Sequence, residues 1–132
     1  MLRRRHTLRD ERGQTMVEFA LVVPILCVVL FGIFQFGALY NDYVTLTDAT
    51  RVGARKGAVS RHEADPAGAA VTAARNSASG LTPAKLVVTV TSTGWKHGDS
   101  VTVDASYPYS INLLGVVVKK GTLKSKTTER VE

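Results

Sequence analysis

One hydrophobic run dominates the pattern of the chain: residues 19–38 are twenty residues, among which Gln35 is the only clearly polar one. A helix needs about 20 apolar residues to cross a bilayer, so the run predicts a membrane helix over residues 14–40. It exceeds the roughly 7–15-residue core of a secretory signal peptide. The best small-x-small cleavage position, before Leu39, has the bulky Phe36 three residues upstream, so we expect no cleavage on that side.

The pattern indicates that this helix continues beyond the membrane. Apolar and small residues then recur at intervals of three or four, as they do on one face of a helix: Leu39, Tyr43, Leu46, Thr50 and Gly53. The periodicity predicts one helix to about residue 58, although glycines in its last turns weaken it. Asp65-Pro66 then reads as an N-cap and first-turn proline of a short second helix that ends at Ser77, before Gly80.

The period changes to two after Pro83, which is typical of β-strands rich in β-branched residues. The alternation predicts a hairpin of residues 86–93 with 100–107, turning at 95–99. Trp95 in this turn is expected to fold back onto its own domain, and the alternative is an exposed adhesive or partner-binding point. A third, less apolar strand is predicted at an edge, near 121–130. The apolar run 109–118 is expected either to cover the sheet or to form a contact surface.

These elements predict an α+β fold: a long N-terminal helix, a short second helix and a small antiparallel sheet of about three strands. Four segments follow along the chain. They are a basic leader without fixed structure (1–13), the membrane helix (14–40), a helical segment outside the membrane (41–80) and a small β domain (81–132).

The charge of the chain favours one orientation. The five arginines of the leader outweigh Asp10 and Glu11 and give it +3, half of the net charge of +6. Cytoplasmic flanks of membrane helices are rich in Lys and Arg, so we expect a single-pass protein of the cytoplasmic membrane with its N-terminus inside. The other +3 is spread over an ordinary surface, and nucleic acid is not an expected partner, whereas membrane lipid is.

No arrangement of side chains predicts catalysis or a cofactor. Cys27, in the middle of the hydrophobic run, is the only cysteine, so the rest of the chain has no thiol and no disulfide. The three histidines lack the spacing of metal ligands. No phosphate-binding loop or nucleophile motif occurs. We therefore expect neither an enzyme nor a metal site.

The most informative residues stand where the leader meets the hydrophobic run. Glu18 lies five positions after Gly13, at the start of the membrane helix. A charge inside a membrane segment costs about 2.5–3.5 kcal/mol at its centre and less near its edge, so it usually has a partner. Cleavage after Gly13 would create that partner, an amino group on Gln14. The amine and Glu18 could pair within one helix or between neighbouring helices, and the second pairing would fix their axial register.

A glycine followed by four residues, glutamate and an aromatic residue resembles the processing site of type IV prepilins, particularly of the Tad (tight adherence) branch. The segment Arg12-Gly13-Gln14 to Glu18-Phe19-Ala20-Leu21-Val22-Val23-Pro24 resembles the opening of TadE-like proteins, minor pilins or pseudopilins of that system. Residues 49–58 resemble a second segment of the family. Phe19 stands where the major pilins usually have tyrosine. Gln14 replaces the Phe or Met common in more distant pilins.

The resemblance implies cleavage between Gly13 and Gln14 by a prepilin peptidase, and then assembly into a Tad-type pilus. The implied partners are that peptidase, the major pilin, sister minor pilins and the inner-membrane assembly platform. Assembly would carry the protein from the membrane to the extracellular filament. The alternative is an uncleaved, permanently anchored binding or scaffold protein, whose Glu18 snorkels to the headgroups.

Pro24 removes the backbone hydrogen bond to Ala20 and can kink the membrane helix. In related pilins the helix loosens near such a proline during assembly. The alternative is a proline that the membrane helix simply tolerates.

Overall fold

The computed structural model describes residues 8–113 and 115–132. Two helices precede three strands: α1 (Leu8–Val59), α2 (Pro66–Ser77), β1 (Val87–Ser92), β2 (Ser100–Leu113) and β3 (Val116–Arg130). The strands form one antiparallel sheet in the order β1-β2-β3. The predicted α+β class is therefore confirmed.

The first helix is a single element of 52 residues, which gives it a length of about 78 Å at about 1.5 Å per residue. Its extension past residue 40 agrees with the predicted periodicity. The expectation of a leader without fixed structure over 1–13 is wrong for residues 8–13, which are helical. Elongating an existing helix is far easier than nucleating one, and Leu, Arg and Glu are good helix formers. Residues 1–7 lie outside the described residues.

The second helix begins as predicted. The side chain of Asp65 accepts a hydrogen bond from the backbone N–H of Gly68 at 2.9 Å, and Pro66 occupies the first turn. Its buried residues are Ala70 and Ala74. Small side chains allow α2 to lie close against the last turns of α1.

The sheet packs its apolar face on α1. The buried positions Val101, Val103 and Ala105 alternate along β2 with half-exposed polar positions. Residues 87–92 pair with 101–106, so the predicted hairpin is confirmed. A core of buried residues joins α1, the segment after α2 and the sheet: Leu46, Ala49, Ala78, Leu81, Leu86 and Ala105. We call this unit, from residue 45 to 132, the α/β domain.

Two strands of the sheet, β2 and β3, are longer than predicted. The second strand continues to Leu113 and β3 starts at Val116, so most of the apolar run 109–118 belongs to a long β2–β3 hairpin. That run does not fold over the sheet as a separate cover. Tyr109 stabilises the extension, since it faces Gly121 across the pair and its ring occupies the space where a side chain at Gly121 would lie.

Candidate processing and assembly site

The predicted cleavage bond between Gly13 and Gln14 lies on an open surface of α1. Gly13 is exposed, and no atom lies within 4 Å of the position that a Cβ there would take. The bond is nevertheless within the helix, since α1 begins five residues earlier at Leu8. Glycine disfavours a helix interior by about 1 kcal/mol relative to alanine. The helix is therefore intrinsically weak at the bond that a peptidase would have to reach.

Gln14 and Glu18 are brought together by one turn of α1. The side-chain amide of Gln14 donates a hydrogen bond to Oε1 of Glu18 at 3.0 Å. Both side chains are exposed, so no group of the α/β domain covers this pair. In the uncleaved chain the carboxylate of Glu18 thus accepts a hydrogen bond from a neutral amide, at the edge of the hydrophobic run.

The hydrogen bond between these two side chains was not predicted from the sequence, where the expected partner of Glu18 was the amino group that cleavage would create on Gln14. A spacing of four residues is a recognised pairing distance for amide and carboxylate side chains on a helix. That spacing was the available signal.

The surface of α1 beyond Glu18 is apolar and uncovered. We call residues 13–44 the exposed half of α1 and residues 45–59 its packed half. In the exposed half no residue is buried, and several of the largest apolar side chains are among the most exposed: Met16, Phe19, Leu21, Ile25, Phe34 and Phe36. The helix contains a window of mean hydropathy 2.7 that is 0% buried, and it is long and apolar enough to cross a membrane. These properties indicate membrane anchoring.

Pro24 lies inside α1, which continues on both sides of it as one helix. Its ring is exposed, and so is Cys27 one turn further on. The proline is therefore placed in the uncovered apolar stretch, about one and a half turns from Glu18. The kink at Pro24 stays a prediction.

Other singled-out residues lie away from this site. Trp95 folds back as expected, since its ring lies 3.8 Å from the Cβ position of Gly57 in the packed half. At the turn between the helices, Lys56 Nζ lies 2.6 Å from Oε1 of Glu63. The hydrogen bond from Lys56 lowers the pKa of the Glu63 carboxyl, assisted by a hydrogen bond from Ser60.

Comparison with known protein families identifies the part of the chain that holds this site. Residues 13–55 match the family described as TadE-like protein. The match begins at Gly13 and includes Gln14, Glu18 and the whole exposed half of α1, and it confirms the resemblance predicted from the sequence. No match was found among curated proteins or solved structures.

Proposed function

We propose that this chain, TadE-like over residues 13–55, is a minor pilin or pseudopilin that a prepilin peptidase cuts after Gly13 and that takes part in assembly of a Tad-type pilus. The family match supports an association with Tad pili. The observation that supports cleavage after Gly13 and assembly into a pilus is the uncovered Gly13–Gln14–Glu18 surface, which lies directly before a membrane-length apolar helix.

The position of the bond suits a membrane peptidase that acts on the cytoplasmic side. With the basic leader inside, Gly13 lies at the edge of the bilayer, where the open surface around it leaves room for an enzyme. Unwinding the helical turns before Gly13 would expose the bond, and the glycine itself lowers the cost of that step.

Cleavage would change the partner of Glu18. The new amine of Gln14 would be a cation, and a hydrogen bond between charged groups is roughly twice as strong as one between neutral groups. Within a single helix the amine lies about 6 Å from Glu18 along the axis. In a bundle it can instead meet the Glu18 of a neighbouring subunit, which would fix the stagger between helices.

The exposed half of α1 provides the assembly surface. Its apolar side chains are solvated by lipid in the membrane and would be covered by neighbouring helices in a filament. Helices in lipid associate through close packing and polar contacts rather than through the hydrophobic effect. The Gln14–Glu18 pair would therefore supply specificity that the apolar surface lacks.

Intact mass of the membrane-extracted protein, from cells that contain the peptidase, tests the proposal. We expect a mature chain that begins at Gln14, and a Gly13→Leu variant that keeps its leader. Gly37→Leu is the matched control, because Gly37 also lies in open space on α1 but outside the site. A wild-type chain that still begins at Met1 or Leu2 would instead support the anchored binding or scaffold protein.

A second experiment separates processing from assembly. We expect Glu18→Ala to be cleaved but to be incorporated poorly into pili or their initiating complex, measured in sheared and membrane fractions. Gln35→Ala, which removes the only clearly polar residue within the run, should be incorporated normally. Normal incorporation of Glu18→Ala would rule out the proposed ion pair.

A further inference from the structure

The tip of the β2–β3 hairpin is a second uncovered apolar surface. Three consecutive valines at the start of β3 are exposed: Val116 by 67%, Val117 by 46% and Val118 by 63%. Leu113 pairs with Val116 and Asn112 with Val117, and Ile111 precedes them on β2. Water-soluble hairpins rarely end in such a surface, and a contiguous exposed apolar patch marks an interaction site.

The fold directs this tip toward the membrane end of the chain. Val101 packs at Gly57 and Val103 lies near Gly53, so β2 runs along α1 in the opposite direction. Further along, a groove of about 210 Å³ separates the two elements. Its lining on α1 is Gln35, Ala38, Leu39 and Asp42, and its lining on β2 is residues 107–111.

The depth of the tip follows from this alignment. Gln35 lies three residues inside the end of the hydrophobic run at Ala38, or about 4–5 Å along the helix axis. The strand continues two residues beyond Ile111, about 7 Å at roughly 3.3 Å per residue. Wherever the bilayer surrounds the hydrophobic run, the tip therefore lies roughly 10 Å inside the end of that run, just below the boundary of headgroups and acyl chains.

The charged and aromatic residues beside the tip match a lipid surface. Lys119 and Lys120 follow the valines directly and pair with Ile111 and Ser110, at the base of the tip. On α1, Tyr40 and Tyr43 are exposed at the same end of the membrane run. Lysines that can snorkel to phosphates and tyrosines at the headgroup level are the usual flanks of a membrane-embedded segment.

The pairing of the strands limits how deep the hairpin can enter. The first strand pairs with β2 only over residues 101–106, so the far end of β2 pairs on one side alone, with β3. Open sheet edges exposed to lipid do not occur within the hydrocarbon core. The hairpin is therefore suited to shallow insertion of about 5–10 Å, like that of interfacial helices.

We propose that the tip of the β2–β3 hairpin, residues 111–113 and 115–118, inserts into the leaflet on the domain side, with Lys119 and Lys120 bound to anionic headgroups. The chain then has two contacts with the bilayer, α1 and the hairpin. This fixes the orientation of the α/β domain relative to the membrane before assembly. The proposal rests on α1 spanning the membrane.

Spin labels on the full chain in vesicles of phosphatidylcholine and phosphatidylglycerol test the insertion. The native Cys27 reports on α1, and Val117→Cys in a Cys27→Ala background reports on the tip. Val87→Cys in the same background is the matched control, because it is an exposed valine on β1, which pairs with β2 well above the tip. We expect collisions with a polar nickel chelate to be roughly tenfold rarer at 117 than at 87, because hydrocarbon excludes polar solutes.

Each outcome has a distinct meaning. A label at 117 that collides with the chelate as often as one at 87, while the label at Cys27 is protected, overturns the hairpin proposal alone. Chelate access at Cys27 overturns the membrane span on which both proposals depend. Protection at 117 that appears only in assembled pili assigns the tip to a neighbouring subunit and overturns lipid insertion.

The role of the lysines has its own test. We expect protection at 117 to be stronger with phosphatidylglycerol than with phosphatidylcholine alone, and Lys119→Gln with Lys120→Gln to abolish this difference. Lys124→Gln with Lys126→Gln is the control, because these lysines lie further up β3. A dependence on lipid charge that survives the first pair of substitutions would overturn headgroup binding at the tip.

Discussion

The two halves of α1 contain similar small residues in opposite surroundings. In the exposed half, Gly32 and Gly37 have no atom within 4 Å of a Cβ position. In the packed half, a Cβ at Gly53 would lie 2.8 Å from Cβ of Ala74, and one at Gly57 would lie 2.9 Å from Cγ1 of Val101. One continuous helix therefore contains two kinds of glycine. A larger residue would fit without a clash at Gly32 and Gly37, whereas close packing requires glycine at Gly53 and Gly57.

This difference shows where the stability of the protein comes from. The packed half buries its residues against α2 and the sheet, so a change there alters the free energy of unfolding of the α/β domain. In the described structure no residue of the exposed half is buried, so changes there should affect anchoring and assembly instead. Four pairs of substitutions follow, each measured on the full chain in nanodiscs by urea unfolding or NMR. The first two pairs compare the halves, and the last two separate contacts within the packed half.

The largest effect is expected from truncating leucines. Leu46 is completely buried in the packed half, and Leu46→Ala should lower the free energy of unfolding by about 2–5 kcal/mol through lost burial and a cavity. Leu26→Ala, in the exposed half, should leave it unchanged. Urea titration followed by Trp95 fluorescence measures both, and equal effects would refute the division into halves.

Adding a methyl group to a glycine sharpens the comparison. Gly53→Ala should destabilise the α/β domain by about 1–3 kcal/mol, because the new Cβ meets Ala74 and the carbonyl oxygen of Ala70, and α2 must move away. Gly37→Ala meets nothing and should have no effect on the same urea transition. A stabilised Gly53→Ala variant would show that helix propensity outweighs the close approach of α2.

A hydroxyl at the helix–sheet contact is expected to have a smaller effect. The buried Thr50 hydroxyl lies 2.9 Å from that of Thr127 and 3.3 Å from that of Ser125. Thr50→Val should cost about 1–2 kcal/mol, because the hydroxyls of β3 lose a partner. Thr47→Val is the control, since the Thr47 hydroxyl donates to the Tyr43 carbonyl of its own helix and not to the sheet. A neutral Thr50→Val would mean that water replaces the lost bonds.

The smallest effect is expected from the ion pair of Lys56 with Glu63. Because the folded-state pKa of Glu63 is lowered, the pair stabilises the domain above the ordinary pKa of a glutamate, and this contribution is lost as the pH falls through the folded-state value. NMR titration of the carboxyl should show Lys56→Gln raising the pKa of Glu63. Arg51→Gln should not, since Arg51 pairs with Asp48. An unchanged pKa in Lys56→Gln would exclude the pair as the cause.

Much of the fold could be predicted because local patterns specify it. The apolar run defines the membrane helix, Asp65-Pro66 defines the start of α2, and the alternation of Val101, Val103 and Ala105 defines the buried face of β2. The lengths of β2 and β3 could not be predicted, because an apolar run with a glycine at its centre fits a covering loop as well as a hairpin. The helical leader residues 8–13 were missed, because charge does not prevent a helix from elongating.

The sequence by itself determined the composition of the candidate site: Gly13, Gln14 and Glu18 before a membrane-length helix, a pattern that depends only on neighbours along the chain. Only the tertiary structure decided the meaning of the glycines at 53 and 57, which depends on how closely α2 and β2 approach. It also placed residues 107–111 of β2 beside residues 35–42 of α1. These two segments, about seventy positions apart, meet because the direction of β2 along α1 is set by packing and not by any local pattern.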